Sequence, residues 1–135
     1  MSLLSIFDIA GSAVSAQTLR LNTTASNLAN VDSVAGDEQS AYRARQPVFQ
    51  ALRLPGNEAG VGVRMLGVVE SDAPIDSRSQ PGHPLADADG NVFGSNVDPV
   101  AELVNMISAS RSYQTNVEVI NTSKTLLLRT LSLGQ

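Results

Sequence analysis

Apolar residues recur in alternating steps of four and three at both ends of the chain, and in steps of two in the middle. At the N-terminal end the row reads Leu3, Phe7, Ala10, Val14, Gln17, Leu21, Thr24, Leu28 and Val31, polar only at Gln17 and Thr24. At the C-terminal end it reads Leu103, Met106, Ser110, Tyr113, Val117, Ile120, Lys124, Leu127 and Leu131, with Leu128 flanking the row, and is polar only at Ser110 and Lys124. That spacing is the stripe of a helix packed along one side. Ser5 followed by Asp8 predicts a capping box at the first helix's start, and Asn30 its stop. Asp98 followed by Pro99, with Glu102 in the first turn, predicts the start of the second helix, and Gly134 its end. At 1.5 Å per residue the two helices reach ~40 Å and ~50 Å. Two long stripes joined by a loop-out predict an antiparallel coiled coil.

Between them the punctuation changes. Eight of the ten glycines and five of the six prolines lie between residues 32 and 97, so the flanks are left free to be helical. Tyr42–Leu54 and Gly60–Glu70 read as two strands around the turn Pro55-Gly56-Asn57. Val61, Val63, Met65 and Val69 are expected on one face of the second strand, and Pro47 pushes the first towards an edge or a bulge. Residues 71–97 read as an extended, turn-rich return. The expected fold is therefore mainly α with a small β insertion: residues 1–31 plus 98–135 form one discontinuous coiled-coil assembly domain, and 32–97 a β-rich insertion.

Charge sharpens this division. The chain has 135 residues and a formal net charge of −4. Residues 1–31 hold only Asp8 and Arg20, while 98–135 balance Asp98, Glu102 and Glu118 against Arg111, Lys124 and Arg129. All of the net charge thus belongs to the middle. An isolated coiled coil in water lines its outer faces with Glu and Lys; here those faces carry Ser12, Ser15, Thr18, Asn22, Ser108, Ser112, Thr115 and Thr122. Small uncharged side chains tolerate neighbours on several sides without desolvating ions. The helices are expected to be surrounded by other copies or partners. Aromatics are only 4% with no Trp, so a free-standing globule of this composition is weakly held.

Candidate chemistry is sparse. His83 is the only histidine and there is no cysteine, so a His-based triad, a disulfide or a thiolate metal site has no material. Asp87-Ala88-Asp89-Gly90-Asn91 hints at a calcium loop, but its glycine comes two positions too early for an EF-hand and Asp-Gly-Asn suits a tight turn. Gly60-Val61-Gly62 does not open a helix as a phosphate loop does. Arg43, Arg45 and Arg53 suit either an acidic partner or solvated strand edges. Asn27 and Asn30 suit either interface hydrogen bonds or capping of the first helix, and Tyr113 suits the core. No enzyme and no cofactor are expected. An acidic chain, with pI near 4.7, does not favour nucleic acid or an anionic membrane surface. No apolar run reaches the roughly 18 residues of a membrane span, and the N-terminus lacks the basic and apolar regions of a cleaved signal.

Ala25-Ser26-Asn27-Leu28-Ala29-Asn30-Val31 closes the first stripe and resembles the N-terminal signature of bacterial flagellar rod and hook proteins. The opening Ser5-Ile6-Phe7-Asp8-Ile9-Ala10-Gly11-Ser12-Ala13 is similar to the proximal rod members of that family. So are Tyr42-Arg43-Ala44-Arg45-Gln46, Pro81 to Gly90, Asn96-Val97-Asp98, Ser108 to Gln114 and Asn116 to Val119. One departure is Ser95, where proline is common before Asn96. Distal rod and hook proteins usually carry a larger insertion, which favours the proximal rod over another axial subunit; a soluble helical adaptor or export chaperone, which should show charged helix faces, is the more remote alternative. The resemblance implies a structural subunit of the proximal rod, polymerising through its terminal helices into part of a hollow shaft between motor and hook. It implies a periplasmic place in the basal body, reached through the flagellar type III export apparatus without signal cleavage. The implied partners are itself, other rod proteins and the membrane-ring base, with no nucleic acid and no membrane insertion.

Overall fold

The computed structural model describes residues 3–53 and 60–133, with the backbone alone for Leu3. The order of elements is α1 (Leu3–Ala29), β1 (Arg45–Arg53), β2 (Val61–Glu70), β3 (Ser77–Ser79), β4 (Asn91–Phe93) and α2 (Pro99–Leu133). The predicted turn Pro55-Gly56-Asn57 and the predicted stop at Gly134 lie outside the described residues. No described helix is long and apolar enough to cross a membrane.

α2 opens as its sequence predicts. Asp98 Oδ1 accepts hydrogen bonds from the backbone N–H groups of Val100 and Ala101, at 2.9 and 3.2 Å, and Pro99 occupies the first helical position. α1 opens differently. It is already helical at Leu3, so Ser5 is a buried residue inside the helix and not the cap of its start. The apolar period extends past the polar signal, and packing overrides a local capping preference. At the far end the Asn30 side chain donates to the Ser26 carbonyl at 2.8 Å, filling one of the acceptors that a helix end leaves open.

The two helices pack on each other. Ile6 of α1 shares a groove with Thr115, Val119 and Thr122 of α2, while Arg20 Nη2 donates to Asn105 Oδ1 at 2.9 Å. On α1 and the turn that follows it, the positions from Phe7 to Val31 of the expected row are all buried or half-buried. On α2 the enclosed row is Glu102, Met106, Ala109, Tyr113, Asn116, Ile120, Ser123 and Leu127. Met106, Tyr113, Ile120 and Leu127 belong to the expected stripe. Its other half is displaced by one residue: Leu103 and Leu131 are 51% and 63% exposed, Lys124 is exposed, and Ser110 and Val117 are half-buried flankers. Close approach of two helices selects small side chains at the contact, and Ala109 (0% exposed) and Ser123 supply them where bulk would hold the backbones apart.

β1 and β2 form an antiparallel ribbon that packs on α1. The first strand starts at Arg45, three residues later than its sequence pattern suggests, because Asn27 and Asn96 engage the chain at Ala44 and Arg45. Pairing shifts between Val48 and Phe49, which face Gly67 and Met65, so Leu66 is the extra residue of a β-bulge. The bulge reverses alternation beyond it: Met65 pairs with Phe49 and Val69 with Gln46, three residues apart, which puts Val69 on the face opposite Val61, Val63 and Met65. The predicted return holds a second small sheet, β3 with β4, to which Ala35 adds a bridge at Phe93. Val92, fully buried, centres this part together with Ala41, Ala44 and Val97.

Candidate assembly surface and its anchoring junction

The densest polar network joins the end of α1 to the insertion. Asn27 is fully buried, and each of its side-chain groups is used. Its Nδ2 donates to the Arg45 carbonyl at 2.8 Å, and its Oδ1 accepts from the Arg45 N–H at 2.9 Å and from the Tyr42 hydroxyl at 3.1 Å. Ser26 lies 3.2 Å from the same hydroxyl, and the Arg45 guanidinium sits 5.6 Å over the Tyr42 ring. Neither sequence reading of Asn27 describes this; it clamps the first residue of β1 within its own chain, whereas Asn30 caps the helix. Asn96 grips the next link. Its Oδ1 accepts from the Ala44 N–H at 2.6 Å, and its Nδ2 donates to the carbonyls of Ala73 and Ser71 at 2.9 and 3.2 Å. Arg43 donates to the same two carbonyls, and the Ser95 hydroxyl donates to the Val31 carbonyl at 2.7 Å. Three strands of chain (the exit of α1, the approach to β1 and the lead into α2) are tied at one point, with amides doing work that ions would do at a desolvation cost.

The possible chemical sites resolve into local structure. Asp87 Oδ1 accepts from the N–H groups of Asp89 and Asn91, at 2.9 and 2.8 Å, closing the turn in which Gly90 takes φ +80°. His83 Nδ1 accepts from the Leu85 N–H. Hydrogen bonds from the Ser40 side chain and N–H hold the exposed Asp37 carboxyl below its usual range. Among the described residues no group of three His, Cys, Asp or Glu side chains is placed to hold a metal ion. Arg43 pairs with Glu38 and Arg45 with Glu70, each at 3.6 Å, so two of the three arginines suggested as partner contacts are engaged within the chain.

At both of its ends α2 leaves apolar side chains uncovered. Val100, Leu103, Val104 and Ile107 stand exposed along its first turns, and Leu126, Leu128, Leu131 and Leu133 along its last, with Leu133 at 88%. α2 has 35 residues against 27 in α1, so its C-terminal turns extend where α1 offers nothing to cover them. Nearby, at the groove that Arg20, Thr24, Phe49 and Asn105 share, the buried Glu102 Oε2 has no hydrogen-bond partner among the described residues, and neither has the buried Gln17 Oε1.

Comparison with known proteins agrees over the full length. The family model described as flagella basal body rod protein matches residues 7–36, which hold α1 from Phe7 and the Asn27 clamp. The model described as the C-terminal part of the flagellar basal body rod FlgEFG proteins matches residues 88–133, which hold α2. The chain is 60% identical to the flagellar basal-body rod protein FlgC of Yersinia enterocolitica over 135 residues, covering all of both chains. It is 58% identical to that of Salmonella typhimurium, again over both full lengths, and 41% to that of Buchnera aphidicola from Acyrthosiphon pisum. The chain belongs to the FlgC family of flagellar basal-body rod proteins. It is a structural subunit of the flagellar rod. In FlgC terms, the two segments matched by rod-family models are the two long helices, and the ribbon falls between them.

Proposed function

We propose that this FlgC subunit polymerises through its terminal helices, which run as an antiparallel coiled coil, to build part of the hollow proximal rod between motor and hook. Residues 1–31 and 98–135 act as one assembly domain, and residues 32–97 as an insertion on its outer side. The observation that carries the proposal is the uncovered end of α2, where Leu126, Leu128, Leu131 and Leu133 stand exposed on more than one side of the helix. Burying a leucine contributes roughly 1.5–3 kcal/mol, and in a polymer that gain recurs at every subunit. Ile6 beside Val119, and Arg20 beside Asn105, support the antiparallel sense. Near-neutral helix surfaces support burial among copies of itself and other rod proteins. The membrane-ring base is a further neighbour, and the export apparatus a transient one, with the periplasm reached without signal cleavage. The subunit's work is mechanical, with no catalytic step. An image reconstruction of purified basal bodies tests this: α1 and α2 are expected to line the channel wall with the ribbon outside. Helices on the outer surface would overturn it.

A further inference from the structure

The β1–β2 ribbon presents a second uncovered surface that the helices do not explain. A two-stranded ribbon has no second layer of its own. α1 covers part of it, yet Val48, Leu52 and Val69 remain 37, 38 and 52% exposed, and register places all three on one face. Leu66, at the bulge, is 57% exposed. Pro47 removes an N–H from β1, and the bulge interrupts β2, so the ribbon is unsuited to adding a further strand at its edges. What it offers is a side-chain face.

Charge indicates what covers that face. Residues 45–70 carry three arginines against two glutamates, whereas residues 32–44 and 71–97 together carry seven carboxylates against two arginines. Within the ribbon the Arg45–Glu70 pair is closed at 3.6 Å; of the other two arginines, both exposed, Arg64 shares the face of Val48, Leu52 and Val69, while Arg53 lies on the other face. In the acidic lobe Asp76 pairs with Arg78 and Glu38 with Arg43, while Asp37 and Asp87 accept from backbone N–H groups. Asp32, Asp72 and Asp89 stand exposed and in no ion pair among the described residues. Leu85, 48% exposed, gives the lobe an apolar contact point.

We propose that the outward face of the ribbon, with Val48, Leu52, Val69 and Arg64, docks on the acidic lobe of a second copy of this chain. Two different surfaces then meet, so the contact is head-to-tail and propagates from copy to copy instead of closing on a dimer. Opposite charge sets its orientation, and the apolar residues supply burial. The contact goes beyond the helix-mediated polymerisation proposed above and is separable from it.

The chain has no cysteine of its own, which makes cross-linking direct. A disulfide requires Cα atoms within about 7 Å. Leu52→Cys combined with Asp72→Cys or with Asp89→Cys is expected to give, on oxidation of isolated basal bodies, a ladder of linked subunits in at least one pairing, and each single variant no product. Dimers from Leu52→Cys alone would mean that ribbon meets ribbon, and would overturn the proposal, as would the absence of any ladder from incorporated subunits. Where a cysteine blocks incorporation, charge decides. Arg64→Glu is expected to lower incorporation several-fold, and adding Asp72→Lys with Asp89→Lys to restore most of it. Normal incorporation of the Arg64 variant, or no recovery in the triple variant, overturns the proposal while leaving the helix contacts untouched.

Discussion

The junction around Asn27 and the far end of α2 solve opposite problems with opposite residues. At the junction every side-chain group of Asn27 is used inside the chain, and buried amides fix where the ribbon leaves the helices. At the end of α2, Leu126, Leu128, Leu131 and Leu133 are half to nearly fully exposed. The first region makes the subunit; the second leaves it unfinished. In a rod subunit both are needed, because a part must hold its shape before assembly and still keep apolar surface for its neighbours.

Substitutions can separate the two. The largest effect on the free subunit is expected from Asn27→Ala, which strands the Arg45 N–H and carbonyl and leaves the Tyr42 hydroxyl only Ser26; roughly 2–4 kcal/mol should be lost in denaturant titration. Ala109→Leu drives bulk into a fully buried position on the enclosed row of α2 and should cost about 1–3 kcal/mol by the same measurement. Gly90→Ala has a smaller target, a turn where φ is +80° and a Cβ would stand 3.2 Å from that of Pro81; about 1–2 kcal/mol is expected. Leu131→Ala, at the other end of the comparison, should change the free subunit by less than about 0.5 kcal/mol, since its side chain is largely in water already. Equal losses from Leu131→Ala and Asn27→Ala would erase the distinction.

The two helices, the ribbon and the neutral flanks were legible in the sequence because period, punctuation and charge act locally. The enclosed row of α2 was legible only in half. Leu103 and Val117 favour one row by hydrophobicity, yet Ser110 and Lys124 interrupt it, and those interruptions were the available signal that the contact lay one residue earlier. The reversal at Val69 was hidden because the sequence does not say which strand takes the extra residue, and one residue inverts a face. Asn27 was visible as a motif residue, but its partners are 15 and 18 residues away and depend on how the chain returns. Long-range amide clamps leave no periodic trace.

The central claim is that the end of α2 belongs to the polymer and not to the monomer. Replacing Leu126, Leu128 and Leu131 together by alanine, in cells lacking the native copy, tests it by the amount of subunit recovered in purified basal bodies. All three are exposed in the subunit, so the purified triple variant should fold as the parent does. The account predicts a subunit that is made and exported, absent from basal bodies, in non-motile cells. Recovery of the triple variant in basal bodies at the parental level would contradict it.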